Sequence, residues 1–318
     1  PAASVERPAM KEQVVELVRR PIRVELPKRS FREVLRLEDK TQVPIIRHPD
    51  RQENGDAVFY FPGCGSERLF SDIGLATIAM LAETGARTVL PPSYLCCGYP
   101  QNAAGMADRG TQITTENRVL FHRIANTLNY LDIGTVVVSC GTCMDQLLKY
   151  EFERIFPGCR LLDVHEYLLE KGVKLDGATG RQYLYHDPCH SPMKTHNPLK
   201  VARELTGSEV QLSDRCCGES GTLGTARPDI ASQLRFRKSE ELLKGIRVMT
   251  AKERAEESET KLLTSCPACQ QGLAKYTDET GLKTDYIVVE MASQLLGDGW
   301  QQRFLDRIAQ GGIERVLL

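Results

Sequence analysis

Ten of the eleven cysteines form two sets of five, and both sets have the same order along the chain. In each set a single cysteine comes first, an adjacent pair followed by glycine comes next, and a Cys-x-x-Cys pair ends the set. The first set is Cys64, Cys96, Cys97, Cys140 and Cys143, and the second set is Cys189, Cys216, Cys217, Cys266 and Cys269. Because the spacing between the copies is nearly constant, the chain is predicted to consist of two equivalent halves. Each half would hold a centre made of a soft metal and thiolates.

Thiolates are the ligand form of cysteine, and a helix amino terminus favours the anion. The two Cys-x-x-Cys pairs are predicted to lie at such termini. Four thiolates would suit zinc or a cubane [4Fe–4S] cluster, whereas five, two of them adjacent, indicate a cluster with an extra ligand. Zinc in one of the halves remains an alternative. Cys159 lies outside both sets and is predicted to be an unliganded thiol.

The composition excludes several other functions. A formal net charge of −1 gives no reason to expect nucleic acid or an anionic membrane as a partner. No apolar run approaches the roughly 20 residues that a membrane-spanning helix needs. Clumped cysteines in a chain of 318 residues are more typical of metal ligation in a reducing compartment than of disulfides. We therefore expect a cytoplasmic protein that would be peripheral to a membrane only through its partners.

Strand and helix patterns alternate through both halves. Strands are predicted at 57–61, 88–90, 135–138 and 161–164, and at 182–185, 210–212, 262–264 and 287–289. Helices are predicted at 71–84, 107–128, 144–156 and 165–171, and at 199–205, 230–243, 270–276 and 290–296. This order predicts an α/β fold of two duplicated Rossmann-like units with mainly parallel sheets, related by a pseudo-twofold axis. The cysteines follow the strands, at the sheet edge where ligands bind in such folds.

Three domains are predicted: an N-terminal linker or strap at 1–56, and two cysteine-rich domains at 57–180 and 181–318. The first segment contains six prolines and no cysteine, with short helices expected at 11–19 and 31–37. The charged stretch at 251–261 is predicted to be a solvated helix or loop. Glu166 and Glu290 occupy corresponding places in the two halves, and we assign them to capping or packing.

The doubled cysteine pattern resembles the CCG (cysteine-rich) domain proteins, and the resemblance covers about residues 57–300. These proteins include the cysteine-rich subunit of heterodisulfide reductase and the iron–sulfur subunits of glycolate oxidase and of anaerobic glycerol-3-phosphate and lactate dehydrogenases. The resemblance implies that each set of five cysteines holds a non-cubane [4Fe–4S] cluster, so that the chain carries one or two of them. Residues 215–224 look most like the hydroxy-acid dehydrogenase branch, although Glu219 replaces an expected apolar residue.

The resemblance also implies partners. The ferredoxin-like pair of CxxCxxC motifs found in many relatives is absent from this sequence, which starts at Pro1 rather than Met. We therefore expect the carboxyl-terminal part of a larger oxidoreductase. Its partners would be an FAD-containing flavin dehydrogenase domain or subunit and a ferredoxin-type iron–sulfur domain.

Three functions remain open at this point. The leading one is an electron-transfer module that accepts electrons from a flavin dehydrogenase acting on a 2-hydroxy acid of the lactate or glycolate type. The second is a catalytic subunit that, like heterodisulfide reductase, cleaves a disulfide at the clusters, and the third is a docking scaffold stabilised by zinc. Polar residues surround the second set of cysteines, so we expect it to be the working centre and the first to be auxiliary. His190 is the candidate catalytic residue there, while structural roles are expected for His186 and His196.

Overall fold

The strands follow the predicted order closely. The structure, a computed structural model, describes residues 27–50, 55–176, 180–219, 223 and 227–318. The predicted helix at 11–19 lies outside these residues. The strands are β1 (Gln42–Ile46), β2 (Ala57–Phe61), β3 (Arg87–Val89), β4 (Ile133–Val138), β5 (Arg160–Asp163), β6 (Gln182–His186), β7 (Val210–Ser213), β8 (Thr260–Thr264), β9 (Lys283–Tyr286) and β10 (Ile313–Leu317).

Helices alternate with these strands, as the sequence predicts. They are α1 (Phe31–Val34), α2 (Ser71–Glu83), α3 (Tyr99–Ala103), α4 (Ala107–Thr127), α5 (Gly141–Leu147), α6 (Val164–Glu170), α7 (Pro198–Thr206), α8 (Pro228–Thr250), α9 (Pro267–Ala274), α10 (Thr277–Thr280), α11 (Ile287–Leu296) and α12 (Trp300–Ala309). A π-helical turn spans Gly65–Leu69, and 3-10 turns span Leu148–Tyr150 and Phe152–Arg154. Among the helices described, none is long and apolar enough to cross a membrane.

Two sheets carry the same internal order of parallel strands. The first contains β3-β2-β4-β5 and the second contains β7-β6-β8-β9. Thus β2 lies between β3 and β4 in the first sheet, and β6 lies between β7 and β8 in the second. The predicted α/β fold of two duplicated Rossmann-like units is therefore confirmed. In this strand order the chain reverses direction across the sheet between β2 and β4, and again between β6 and β8. Such switch points open a crevice at the carboxyl ends of the strands.

Two antiparallel strands extend the first sheet from opposite ends of the described chain. β1 pairs with β3 on one side and with β10 on the other. β1 lies within the predicted linker at 1–56, and β10 lies within the predicted second domain at 181–318. Pro44 lacks an N–H donor, but its carbonyl accepts a hydrogen bond from Leu90 N at 2.9 Å. The domain boundaries stay predictions, and the first sheet takes strands from beyond both of them.

Three local predictions were wrong. Residues 287–289 form the first turn of α11 rather than a strand, and on this helix Ile287 and Val288 are buried in the core. The preceding strand is the polar β9. The helix expected at 144–156 starts at Gly141 and ends at Leu147, and Glu151 then adopts a positive φ of 52°. The helix expected at 31–37 ends at Val34.

One apolar core joins the two halves. α2 packs against α11, and every residue from Ile73 to Ala82 on α2 is buried. The same core contains Tyr60 and Val137 from the first sheet and Tyr185 and Leu263 from the second. Because both sheets contribute to a shared core, the two units are held in one relative position.

Candidate metal centres

The first set of cysteines converges at the carboxyl edge of the first sheet. Cys64 follows β2, Cys96 and Cys97 lie in the loop after β3, and Cys140 and Cys143 bracket the first turn of α5 after β4. The thiol of Cys96 contacts those of Cys64 and Cys97, and Cys143 contacts Cys97 and Cys140. All five predicted residues therefore belong to one continuous group of sulfur atoms at the switch point.

Hydrogen bonds between the sulfurs divide the protons unequally in the first set. Donation from Cys64 and then Cys97 lowers the pKa of Cys96 to about 3. Contact with Cys143 lowers the pKa of Cys140 to about 6, while the pKa of Cys143 itself is raised. Some members therefore ionise readily and others hold their protons. A thiophilic metal that replaces those protons would satisfy all five sulfurs, so the donor set fits such a group.

The backbone makes room for this group of thiols. Gly63 has a φ of +64°, and a Cβ atom at this position would lie 2.7 Å from Cys143 Sγ. An L-residue is disfavoured on both counts, since the left-handed region strains it and the sulfur leaves no space. Gly63 therefore allows the loop after β2 to approach α5 closely and to place Cys64 beside the other thiols.

The second set is assembled in the same way, except for its first member. Cys217 Sγ lies 3.4 Å from Cys269 Sγ, and Cys217 also contacts Cys216. Cys269 contacts Cys266 as well. Cys189 is exposed, and its charge adds a small upward shift to the pKa of Cys216. The structure thus packs four of the five predicted thiols together and leaves Cys189 at the open side.

Ionisation in the second set concentrates on one sulfur. Contacts with Cys216 and then Cys269, together with His186, lower the pKa of Cys217 well below its usual range. The same contact raises the pKa of Cys216, and Cys217 and Cys266 together raise that of Cys269. As in the first set, protons shared between sulfurs are those that a bound metal would release.

Corresponding hydrogen bonds support the two sets. A backbone N–H donates to the first sulfur of each adjacent pair, from Gly98 to Cys96 at 3.5 Å and from Gly218 to Cys216 at 3.4 Å. A tyrosine hydroxyl also donates to the backbone carbonyl of the second cysteine of each adjacent pair. A further tyrosine side chain hydrogen-bonds with the serine that directly precedes each Cys-x-x-Cys. These contacts are Tyr150 Oη to Cys97 O and Tyr276 Oη to Cys217 O, and Tyr60 with Ser139 and Tyr185 with Ser265.

The chain segments that carry the two centres contact each other. Tyr286 Oη, which is buried, donates to Ser139 O at 2.7 Å and to Ser265 O at 2.9 Å, directly before Cys140 and Cys266. A Cβ atom on Gly65 would lie 3.4 Å from the side chain of Pro267. The segment that follows β2 in the first half therefore touches the segment that follows β8 in the second.

His190 lies at this boundary rather than beside the second set alone. Its Nδ1 hydrogen-bonds with Asp145, and Tyr99 Oη lies 3.2 Å from its Nε2. Both partners belong to the first half, close to Cys97 and Cys143. Lys194 Nζ pairs with the other oxygen of Asp145 at 2.8 Å. The role of His190 stays a prediction, and the structure places it between the halves, with 43% of its side chain exposed.

Lys238 is a site residue that the sequence patterns did not indicate. Its ammonium group is buried, and it donates to Ser213 Oγ and to Glu241 Oε2 at 2.9 Å. His186 Nδ1 lies 3.4 Å from Lys238 Nζ, and one ring nitrogen of His186 lies within 4.8 Å of Cys217 Sγ and Cys269 Sγ. A positional comparison could have found this lysine, because it stands at the same place in α8 as Asn117 does in α4.

The remaining predicted residues have structural contacts. Glu166 caps α6 with Asp163 and accepts from the backbone N–H groups of Thr195 and His196, at 2.7 Å each, so capping is confirmed. Glu290 is a buried acceptor for Lys261 and Arg181. Cys159 lies apart from both sets, and burial raises the pKa of its thiol to about 11.

Comparison with known proteins finds the same two repeats. A family profile described as "Cysteine-rich domain" (CCG) matches residues 58–148 and 183–274, more than half of the chain, and each match contains one set of five cysteines. A second profile, "Domain of unknown function (DUF3400)", matches residues 274–318.

Curated relatives include three iron–sulfur or oxidoreductase proteins. An uncharacterised iron–sulfur protein of Methanococcus maripaludis is 27% identical over 75% of this chain and 46% of its own length. A subunit of the fumarate reductase (CoM/CoB) of Methanothermobacter marburgensis is 27% identical over 73% of this chain and 44% of its own. The probable glycolate oxidase iron–sulfur subunit of Bacillus subtilis is 25% identical over 56% and 43%, respectively. The chain thus spans less than half the length of these relatives.

Proposed function

Because this chain belongs to the cysteine-rich (CCG) domain family, we propose that it is the iron–sulfur electron-transfer module of an oxidoreductase. The observation that carries the proposal is the convergence of the two thiol sets at equivalent sheet edges, with five sulfur atoms in mutual contact in the first set and four in the second. Names of its relatives, an iron–sulfur protein and an iron–sulfur subunit of glycolate oxidase, support iron over other soft metals. The relatives named as subunits also support partner proteins.

The ligands in this proposal are the ten cysteines of the two sets. Each set would hold one [4Fe–4S] cluster of the non-cubane type, because five thiols exceed the four that a cubane cluster needs. The cluster would supply reversible one-electron transfer, while the chain provides the thiolates, excludes water from the buried ones and donates backbone N–H groups to their sulfurs. Zinc in one set is the alternative occupant.

The proposed electron donor is a flavin dehydrogenase that acts on a 2-hydroxy acid, in a partner domain or subunit. The likeness to the glycolate oxidase subunit, and to a lactate utilization protein that is 24% identical over 58% of this chain, supports this choice of substrate class. A ferredoxin-type domain would pass electrons between the two. The contact between the loops around the two centres, through Gly65 and Pro267, supports electron exchange within this chain.

Disulfide cleavage is a second candidate function, and one observation favours it. His190, Tyr99, Asp145 and Lys194 form a partly exposed group of proton donors and acceptors at the boundary between the two thiol sets. A disulfide reduced there would need two electrons and two protons, and this group could deliver the protons. The parent protein should then reduce a disulfide when a reduced electron donor is supplied. Loss of this turnover in His190→Ala, with the iron content unchanged, would establish this function.

Metal analysis tests the leading proposal. Protein purified without oxygen should absorb visible light and contain about four iron and four sulfide ions per occupied set. Cys217→Ser should remove or convert the second centre and leave the first, whereas the matched variant Cys159→Ser should retain the full iron content. Stoichiometric zinc in both sets without iron would refute electron transfer and leave a docking scaffold.

Electron transfer itself is tested with the partner flavoprotein. Addition of a 2-hydroxy acid to the complex should reduce the iron–sulfur centres, as seen by bleaching of their absorption. Bleaching in the parent protein and in Cys159→Ser, but not in a quadruple variant that lacks Cys96, Cys97, Cys216 and Cys217, would support the assignment. Reduction of the partner flavoprotein by the 2-hydroxy acid, without any change in the absorption of the iron–sulfur centres, would contradict it.

A further inference from the structure

Two buried polar residues beside the second thiol set have apolar or neutral counterparts in the first half. His186 is the last residue of β6, and Phe61 is the last residue of the corresponding strand β2. Lys238 is the eleventh residue of α8, and Asn117 is the eleventh residue of α4. Asn117 donates to Cys96 O at 2.8 Å. The duplication therefore provides an internal reference, and the second half differs from it by an imidazole and an ammonium group.

The contacts of His186 determine its tautomer. Lys238 Nζ lies 3.4 Å from Nδ1, and an ammonium group has N–H donors and no acceptor. Nδ1 must therefore accept, and the ring proton resides on Nε2. Ser213 and Glu241 hold the ammonium group on its other sides, with Glu241 Oε2 at 2.9 Å. This arrangement fixes both the position and the direction of the imidazole.

The Nε2 atom of His186 is left without a protein acceptor. It is buried, and no hydrogen-bond partner for it exists within the part of the chain that the structure describes. An unsatisfied buried donor costs about 1–3 kcal/mol, so an acceptor at this site is expected. A ring nitrogen of His186 lies within 4.8 Å of both Cys217 Sγ and Cys269 Sγ, so the acceptors closest to hand are sulfur atoms of the second centre.

The geometry points to His186 as a positioning residue that donates its Nε2–H to a sulfur of the second centre, in a tautomer that Lys238 enforces. This inference rests on the proposed iron–sulfur function. An N–H donor and a nearby buried cation both stabilise the reduced, more negative state of an iron–sulfur centre. The second centre should therefore have a higher reduction potential than the first, where Phe61 and Asn117 replace these two groups.

Redox titration of the holoprotein tests the inference, with the second centre identified as the signal that Cys217→Ser removes. His186→Phe installs the residue found in the first half and should lower the reduction equilibrium constant of the second centre at least tenfold, or about 59 mV for one electron. Lys238→Met should change it in the same direction. His186→Gln keeps an N–H donor and should retain most of the parent value. His196→Phe, at a half-buried histidine that pairs with Glu170, is the matched control and should leave both centres unchanged.

A spectroscopic measurement separates hydrogen bonding from a merely structural role. Pulsed electron paramagnetic resonance of protein labelled with ¹⁵N-histidine should show a nitrogen coupling at the reduced second centre, and His186→Phe should lack it. If His186→Phe retains its iron but shows an unchanged potential and an unchanged coupling, the inference fails and the proposed function stands. If the parent protein binds no iron at all, the proposed function fails, and the inference fails with it. If His186→Phe does not fold, Lys238→Met decides instead, and an unchanged potential of the second centre in that variant overturns the inference.

Discussion

The substitution Gly141→Ala should push the two halves of the protein apart beside the first thiol set. Gly141 is the first residue of α5, directly after Cys140, and a Cβ atom there would lie 1.5 Å from His190 O and 3.3 Å from Pro192 N. Both neighbours are backbone atoms, which cannot rotate away as a flexible side chain would. Gly141→Ala must therefore displace the chain around His190 from the start of α5.

The expected loss of stability follows from two opposing terms. Overpacking costs about 1–3 kcal/mol, and a clash between backbones belongs at the upper end of that range. Alanine is favoured over glycine within a helix by up to about 1 kcal/mol, which offsets part of this cost. The free energy of unfolding of Gly141→Ala should thus fall by at least about 2 kcal/mol. Urea unfolding without oxygen, followed by circular dichroism, measures this difference.

Gly134→Ala is the matched control for this measurement. Gly134 lies exposed on β4, and no atom would come within 4 Å of an added Cβ. Its free energy of unfolding should stay within about 0.5 kcal/mol of the parent value. Equal stabilities for Gly141→Ala and Gly134→Ala would refute the close contact between α5 and the loop of His190.

Three further substitutions test the contacts around the centres, each by urea unfolding. Burial raises the pKa of Asp285 to about 6, so between about pH 4 and 6 this carboxyl ionises only in the unfolded chain, and the parent protein loses stability as the pH rises. The free energy of unfolding of Asp285→Asn should therefore rise by up to about 3 kcal/mol relative to the parent between about pH 4 and 7. A difference that is independent of pH would contradict this. Tyr286→Phe removes the donor to two buried carbonyls and should cost about 1–3 kcal/mol, whereas an unchanged stability would exclude Tyr286 as a brace between the halves. Arg32→Met leaves Glu67 buried without the guanidinium that binds it at 2.8 Å and should cost about 3–5 kcal/mol, so a loss below about 1 kcal/mol would argue against this ion pair.

The duplication and the grouping of the thiols could be predicted because both follow from local order. Strands such as Ala57–Phe61 are short apolar runs that end at a cysteine, and parallel strands bring their carboxyl ends to one edge. Long-range pairing could not be predicted in the same way. Gln42–Ile46 contains a proline, and the position of Ile313–Leu317 depends on a partner strand far away in the sequence.

Residue type alone gave the wrong structure at Ile287–Val289. Three β-branched residues favour a strand, but a helix here buries Ile287 and Val288 and packs against α2, so tertiary packing overrides propensity. The position of His190 shows a second limit. It follows Cys189 in the sequence, yet its side chain turns toward Asp145 in the other half. Proximity along the chain thus identified the residue and missed its neighbours.

Lys238 could not be recognised from the helical pattern around it. A lysine in a 23-residue helix is normally solvated, and only the buried pocket formed by Ser213, His186 and Glu241 gives it another environment. Alignment of the two halves of the chain on each other offers the missing signal, since it pairs Lys238 with a buried asparagine.

The pairing of β1 with β10 limits the order in which the protein can be completed during synthesis. Gln42 lies opposite Leu317, so the edge of the first sheet is closed by residues that are synthesised after all four strands of the second unit. Until then β1 has an open side, which is a template for association with other chains. The second unit, whose four strands all come from residues 182–286, has no such dependence and can form earlier. Although the first unit precedes the second in the chain, its sheet is completed after that of the second.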